Sequence, residues 1–198
     1  MRIGIDIDNT ITDIEELLNE AAFNYAKQLG KEITEADRDK KIEDSKNDGN
    51  VYKKRYNFTY EELKHFLGNI QEEITNNAEP RSGAVETINK LRQQGHEIYI
   101  ITARDNEFHE DPYMLSKVWL DDNNIEYDKL IVNVRKKAPV CKDEKIDVFI
   151  DDNLNNCLEV AREGIKTIRF TADTAEYENI VNINNWDEVY VYINKIVK

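Results

Sequence analysis

Ile3-Gly4-Ile5-Asp6-Ile7-Asp8-Asn9-Thr10 opens the chain with apolar residues at every second position and two carboxylates two apart. A period of two marks a strand, and Asn9-Thr10 is a turn signal, so the strand is expected to end near Asp8. From Ile14 the spacing turns helical through Leu17, Leu18, Ala21, Ala22, Tyr25 and Leu29, with Gly30 as the stop. Thr12 or Asp13, each three residues before a glutamate, is expected to cap that helix. Residues 31–57 are polar and carry no readable period. Thr59-x-x-Glu62 is a second capping box, and it opens a helix with Leu63, Phe66, Leu67, Ile70 and Ile74 on one face.

Beyond Pro80 helices and strands alternate. The spacing predicts helices over 83–94, from Asp111-Pro112 through Leu120, over 138–145 and 154–163, and after Asn185. It predicts strands over 97–102, 129–133, 147–151 and 166–170. The expected fold is α/β: a parallel five-stranded sheet with helices on both faces. Residues 13–79 interrupt the alternation after the first strand and read as a helical cap inserted into a core of 1–12 and 80–198.

The 198 residues suit one such domain, and 40% apolar with 34% charged residues suits a sizeable core under a solvated surface. The net charge of −13 argues against long nucleic acid, which needs a basic surface. No apolar run approaches the roughly 20 residues of a membrane-spanning helix, and the short acidic N-terminal strand does not read as a signal peptide. Two cysteines, Cys141 and Cys157, without a C-x-x-C, make a disulfide scaffold or cysteine zinc site improbable and suit a cytoplasmic protein.

In an open α/β sheet the ligand site lies beyond the carboxyl ends of the strands. Asp6 and Asp8 end the first strand and, two apart, are expected to aim the same way. Thr102 ends the second, followed by Ala103 and Arg104. Asp151-Asp152 ends the fourth, and Arg135-Lys136-Lys137 precedes it. Each feature has a plain reading: turn caps for the acids, β-propensity for Thr102, solvated surface for Arg104 and the lysines. Two acidic strand ends in one chain instead describe an oxygen-rich site for a hard divalent ion.

These residues resemble the haloacid dehalogenase-like phosphohydrolases. Asp6-Ile7-Asp8-Asn9-Thr10 matches their D-x-D-x-T signature, and Thr102, a lysine before the fourth strand, and Asp151-Asp152 match the three later motifs in order. Ile101-Thr102-Ala103-Arg104, Tyr127-Asp128-Lys129-Leu130-Ile131 and Ile146-Asp147-Val148-Phe149-Ile150-Asp151-Asp152 look most like bacterial nucleotidases related to 5′(3′)-deoxyribonucleotidases. The resemblance implies Asp6 as nucleophile, Asp8 as general acid and base, and Mg²⁺ held by Asp6, the Asp8 carbonyl and Asp152, with Asp151 beside it. It implies phosphate binding by Thr102 and the N–H groups of Ala103 and Arg104. Lys137, next to Pro139 at a helix start, is the expected phosphate-binding lysine, and Lys142 is the alternative.

The resemblance further implies a small phosphorylated substrate, a nucleoside monophosphate first and a sugar phosphate second, with a homodimer as an alternative assembly. A phospho-accepting signalling module and a non-catalytic binding protein are the competing classes. A receiver domain carries its acid pair on the first strand, whereas Asp151-Asp152 comes late. Tyr52, Tyr56, Phe58 and Tyr60 are candidates to stack a nucleobase, against the plainer reading that aromatic rings pack within the cap.

Overall fold

A computed structural model describes residues 1–39 and 51–196. Six parallel strands form one sheet in the order β3-β2-β1-β4-β5-β6. They are β1 (Arg2–Ile5), β2 (Glu97–Ile101), β3 (Lys129–Ile131), β4 (Val148–Asp151), β5 (Lys166–Phe170) and β6 (Ile180–Ile183). The expected α/β class stands, with one strand more than expected. β6 was missed because Ile180-Val181-Asn182-Ile183 is short and sits among polar residues. It becomes a strand by pairing with β5 in the register Thr167↔Ile180 to Phe170↔Ile183, a long-range choice that its own pattern does not carry.

Alternation along the strands divides the core. Ile3, Ile5, Ile98, Ile100, Val148, Ile150 and Ile168 face one layer, packed by α6 (Ala84–Gln93), α7 (Pro112–Asp122) and α10 (Trp186–Ile196). Tyr99, Ile101 and Phe149 face the other, with α8 (Lys137–Asp143) and α9 (Leu154–Arg162). Gly4 sits at the sheet centre, where a Cβ would lie 3.0 Å from the Phe149 ring, so the close layer packing requires the missing side chain.

Between β1 and α6 lie α1 (Glu15–Gln28), α2 (Glu35–Arg38), α3 (Val51–Tyr56), α4 (Tyr60–His65), a π-helical turn (Phe66–Gln71) and α5 (Glu72–Asn76). They pack around an apolar cluster of their own, which includes Leu18, Phe23, Tyr56, Phe58 and Phe66. The Thr59–Glu62 capping box forms as expected. The expected α1 caps do not form. α1 begins after Ile14 without a side-chain cap, because Asp13 is drawn to Arg81 and the Thr12 hydroxyl accepts the Asn9 N–H. Lys40 to Asn50, the middle of the unassigned polar stretch, falls outside the described residues.

Candidate active site

The order 3-2-1-4-5-6 reverses direction between β1 and β4, and a ligand crevice opens at such a switch point. β1 ends at Ile5, earlier than expected, so Asp6 and Asp8 lie on the loop leaving the strand. The Asp6 N–H still reaches back to the Ile150 carbonyl at 3.0 Å and holds the loop against β4. Carboxylate oxygens of Asp6, Asp151 and Asp152 come within 4.8 Å of one another. Acids from two strand ends 145 residues apart thus converge at the crevice.

Lys137 is 1% exposed, and its Nζ lies 2.7 Å from Asp6 Oδ1. The ammonium also donates to the Ile101 carbonyl. Of the two lysines considered, Lys137 enters the site. Lys142 lies on the outside and pairs with Glu163. Thr102 is buried at the end of β2, where its hydroxyl accepts the Arg104 N–H at 3.3 Å.

The Arg104 side chain is buried, against the plain reading of a solvated surface residue. Its guanidinium grips both Asp8 oxygens, Nε to Oδ2 at 3.0 Å and Nη2 to Oδ1 at 2.8 Å, and Nη1 donates to Ser116. The bidentate fork matches carboxylate geometry and binds strongly where both groups are shielded. This pairing was invisible in the sequence because Asp8 and Arg104 stand 96 positions apart. Asp6 and Asp8 therefore have different partners, one an ammonium and the other a guanidinium.

The carboxyls split accordingly. Burial pushes Asp6 up, and Lys137 offsets only part of that. Burial also acts on Asp8, but the Arg104 charge and hydrogen bonds overcome it and hold Asp8 below the ordinary range. Burial and the neighbouring Asp6 charge push Asp151 up to about 7, and burial with Asp151 and Asp6 raises Asp152 as well. Asp151 is also oriented by Asn156, whose Nδ2 lies 3.0 Å from Oδ2, and by the Asn153 N–H. Thr10 exchanges hydrogen bonds with Asp152, donating to Oδ1 at 3.3 Å and accepting its N–H at 3.0 Å. Crowded oxygen donors with raised pKa values are what a hard divalent cation would relieve, so this donor set fits Mg²⁺.

A pocket of about 440 Å³ opens from Asp8 and Arg104 toward the helices of residues 60–71. Tyr60, Leu63, Leu67 and Gln71 line it at helical spacing, and Phe108 faces them from the loop after β2. Of the four proposed stacking rings only Tyr60 is on this wall, 45% exposed and 6.5 Å from Phe108. Tyr52, Tyr56 and Phe58 belong to the apolar cluster of the helical segment, where Phe66 lies 5.1 Å from Tyr52 and 6.0 Å from Phe58. Packing won for these three because burying a ring removes far more apolar surface from water than leaving it at a pocket mouth. Phe108 and Gln71 were missed. Gln71 continues the 63–67 spacing by four, and that period could have found it.

The profile of the haloacid dehalogenase-like hydrolases matches residues 3–118. A nucleotidase of Clostridium acetobutylicum is 30% identical over 204 residues, covering 99% of this chain and 95% of its own. A protein of Chlorobaculum tepidum, provisionally named a 5′(3′)-deoxyribonucleotidase, is 29% identical over 140 residues, 70% of this chain and 66% of its own. A haloacid dehalogenase-like family hydrolase from Streptococcus pneumoniae has a similar fold, with a TM-score of 0.68 at 15% identity over 97% of each chain. The chain belongs to the haloacid dehalogenase-like hydrolases. Its relatives with nucleotidase names put it with the phosphoric monoester hydrolases of that family. No helix among the described residues is long and apolar enough to cross a membrane.

Proposed function

We propose that the enzyme is a Mg²⁺-dependent phosphatase of nucleoside monophosphates that works through an aspartyl-phosphate on Asp6. The observation that carries this reading is the Lys137–Asp6 contact of 2.7 Å beside Asp151 and Asp152. A carboxylate nucleophile repels a phosphate dianion, and a buried cation on that carboxylate is what attack requires.

In this mechanism Asp6 attacks phosphorus, the P–O bond to the leaving group breaks, and the departing oxygen takes a proton from Asp8. Asp8 then accepts a proton from water as the water attacks the aspartyl-phosphate, which releases inorganic phosphate and restores Asp6. Asp6, Asp152 and the Asp8 carbonyl would hold Mg²⁺, with Asp151 behind them, and bound Mg²⁺ would supply charge neutralisation to the phosphoryl oxygens. Thr102 and the N–H groups of Ala103 and Arg104 would cradle the phosphate. The Arg104 side chain has a second role. It keeps Asp8 ionised in the free enzyme, and a bound phosphate, competing for that guanidinium and adding negative charge, would promote Asp8 protonation.

The same reading takes residues 13–79 as a cap whose face at Tyr60, Leu63, Leu67 and Gln71 holds the leaving group. Leu63, Leu67 and the rings of Tyr60 and Phe108 suit the faces of a planar base, which favours a nucleotide over a sugar phosphate, and Gln71, Asn156 and the charged Lys53, Asp105, Glu107 and Arg135 make up the polar share of the same lining. The test is steady-state hydrolysis of nucleoside monophosphates and sugar phosphates with Mg²⁺ and with EDTA. The expected result is Mg²⁺-dependent turnover with nucleotides preferred. Phe108→Ala should lower nucleotide kcat/KM by about 1–3 kcal/mol while sparing p-nitrophenyl phosphate. Preference for sugar phosphates would overturn the substrate assignment, and activity of metal-free protein would overturn the metal assignment.

A further inference from the structure

The wall of the pocket that opens from Asp8 and Arg104 carries a histidine that the mechanism above leaves unused. His109 stands on the loop after Thr102, and its side chain is 8% exposed. The polar atoms of a buried side chain are ordinarily all hydrogen-bonded. In His109 one ring nitrogen is satisfied: Nδ1 lies 3.1 Å from Glu72 Oε2, and Nε2 has no hydrogen bond among the described residues. Nor is Nε2 enclosed, since the sealed side-chain atoms without a partner among those residues are Asn182 Oδ1 and Trp186 Nε1. His109 lines the pocket and Glu72 does not. The Nδ1 edge of the ring therefore faces out of the pocket toward Glu72, and the opposite edge, with Nε2, faces into it.

The carboxylate fixes what Nε2 offers. An ionised Glu72 can only accept, so Nδ1 carries the proton of the neutral ring and Nε2 is left with a lone pair. A ligand atom that meets it must be a donor. Position narrows the donor further. Asp8, Arg104 and His109 line the pocket together. Burial raises the Asp8 carboxyl, Arg104 overcomes that, and the charged form of His109 adds to the lowering, so the ring stands within reach of Asp8. Asp8 serves the leaving oxygen, and His109 thus faces the part of the leaving group bonded to that oxygen. Tyr60 stands at the other end of the wall, since the helical turns from Tyr60 to Glu72 run about 18 Å. In a nucleotide the part next to the phosphate is the sugar, and its donors are hydroxyls.

We propose that His109, oriented by Glu72, is a specificity-determining residue that accepts a hydrogen bond from a sugar hydroxyl of the substrate, an inference that rests on the nucleotidase reading above. The pair joins two parts of the chain, because Glu72 opens α5 of the helical segment and His109 lies on the loop after β2. The imidazole is therefore held in one orientation from both sides of the pocket. A substrate without the hydroxyl covers Nε2 and leaves it unpaired, and a site built to hydrogen-bond a hydroxyl rejects such an analogue.

The test uses the full chain with Mg²⁺ and compares adenosine 5′-monophosphate with its 2′,3′-dideoxy analogue. The wild-type kcat/KM should favour the hydroxylated nucleotide by about 10–100-fold. His109→Phe keeps a flat ring and removes the acceptor, and should bring that ratio close to unity. The Glu72 side chain is 35% exposed, so Glu72→Ala should fold, and it should lower the ratio by freeing the imidazole. Glu72→Gln, whose amide oxygen still accepts from Nδ1, should restore it. A wild-type ratio near unity overturns the inference. So does a ratio that His109→Phe and Glu72→Ala leave unchanged while both nucleotides lose activity alike, which is what a purely structural tie between helix and loop would give. If His109→Phe does not fold, an unchanged ratio in Glu72→Ala suffices to overturn it. The nucleotide reading is judged separately on the wild type. Faster turnover of ribose 5-phosphate than of adenosine 5′-monophosphate overturns that reading, while a ratio that collapses in His109→Phe keeps His109 as the acceptor of a sugar hydroxyl.

Discussion

Lys137 shows what one side chain owes to position. Three lysines lie within residues 136–142, yet one of them is buried against Asp6. Its place just before Ala138-Pro139, in the first turn of α8, made it legible, because a helix start beside a strand end faces the ligand crevice. Lys137→Met should lower kcat by about 10²–10³, the usual cost of removing a preorganised charge from a transition state. Lys142→Ala should leave kcat unchanged, since Lys142 is exposed and paired outside the site. A kcat loss in Lys142→Ala equal to that in Lys137→Met would reverse the assignment. Asp8→Asn should damage alkyl phosphate esters far more than p-nitrophenyl phosphate, whose leaving group hardly needs a proton. Equal losses on both would remove Asp8 as the general acid. The partner of Asp8 was not legible, because a guanidinium 96 positions away leaves no local pattern.

Among the elements, the helix over residues 60–76 carries the least expected feature. Its capping box and apolar face are local and were read from the sequence, but the π-helical turn at Phe66–Gln71 was not. Such turns recur at functional sites, and Leu67 and Gln71 of this one line the pocket of about 440 Å³. Gly68 lies within it, where an added Cβ would sit 2.6 Å from the Phe108 carbonyl oxygen. His109 Nδ1, one residue on, lies 3.1 Å from Glu72 Oε2, so the helix and the loop after Thr102 meet closely. Helix propensity alone predicts that Gly68→Ala stabilises by about 1 kcal/mol. The backbone contact predicts the opposite, a loss of about 1–3 kcal/mol, with KM raised for nucleotides as Phe108 is displaced. Urea unfolding decides by the sign, and a stabilised Gly68→Ala would show that the helix and loop part freely.

For the whole molecule, three carboxyls crowded at one edge of the sheet tie stability to pH and metal. Asp6, Asp151 and Asp152 are all raised by burial, with the Asp8 charge adding to Asp6 and the Asp6 charge adding to the other two, Asp151 to about 7. A carboxyl with a raised folded-state pKa holds a proton that the unfolded chain releases. Its contribution is fully present below the unfolded value, about 3.9 for Asp, and is lost as pH rises through the folded value. Metal-free protein should therefore lose Tm between about pH 5 and 8. Mg²⁺, binding the ionised carboxylates of the folded state, should raise Tm more at pH 8 than at pH 5.5. Equal increments at both pH values would show that these carboxyls do not hold the ion.

What the sequence determined by itself was local or periodic. Alternation and short apolar runs marked β1 to β5, helical spacing and caps marked the helices between them, and acids at strand ends marked the crevice. Those signals are readable because each is written within a few residues of the feature it specifies. The tertiary structure decided what depends on distant partners. It made 180–183 a sixth strand by offering the edge of β5, turned Arg104 onto Asp8, and drew Asp13 from the α1 cap to Arg81. It also chose which rings entered the core and which remained on the pocket wall. Tyr52, Tyr56 and Phe58 went inward and Tyr60 stayed out, although all four lie within nine residues of sequence. Burial is a property of the assembled surface, and no short stretch of chain contains it.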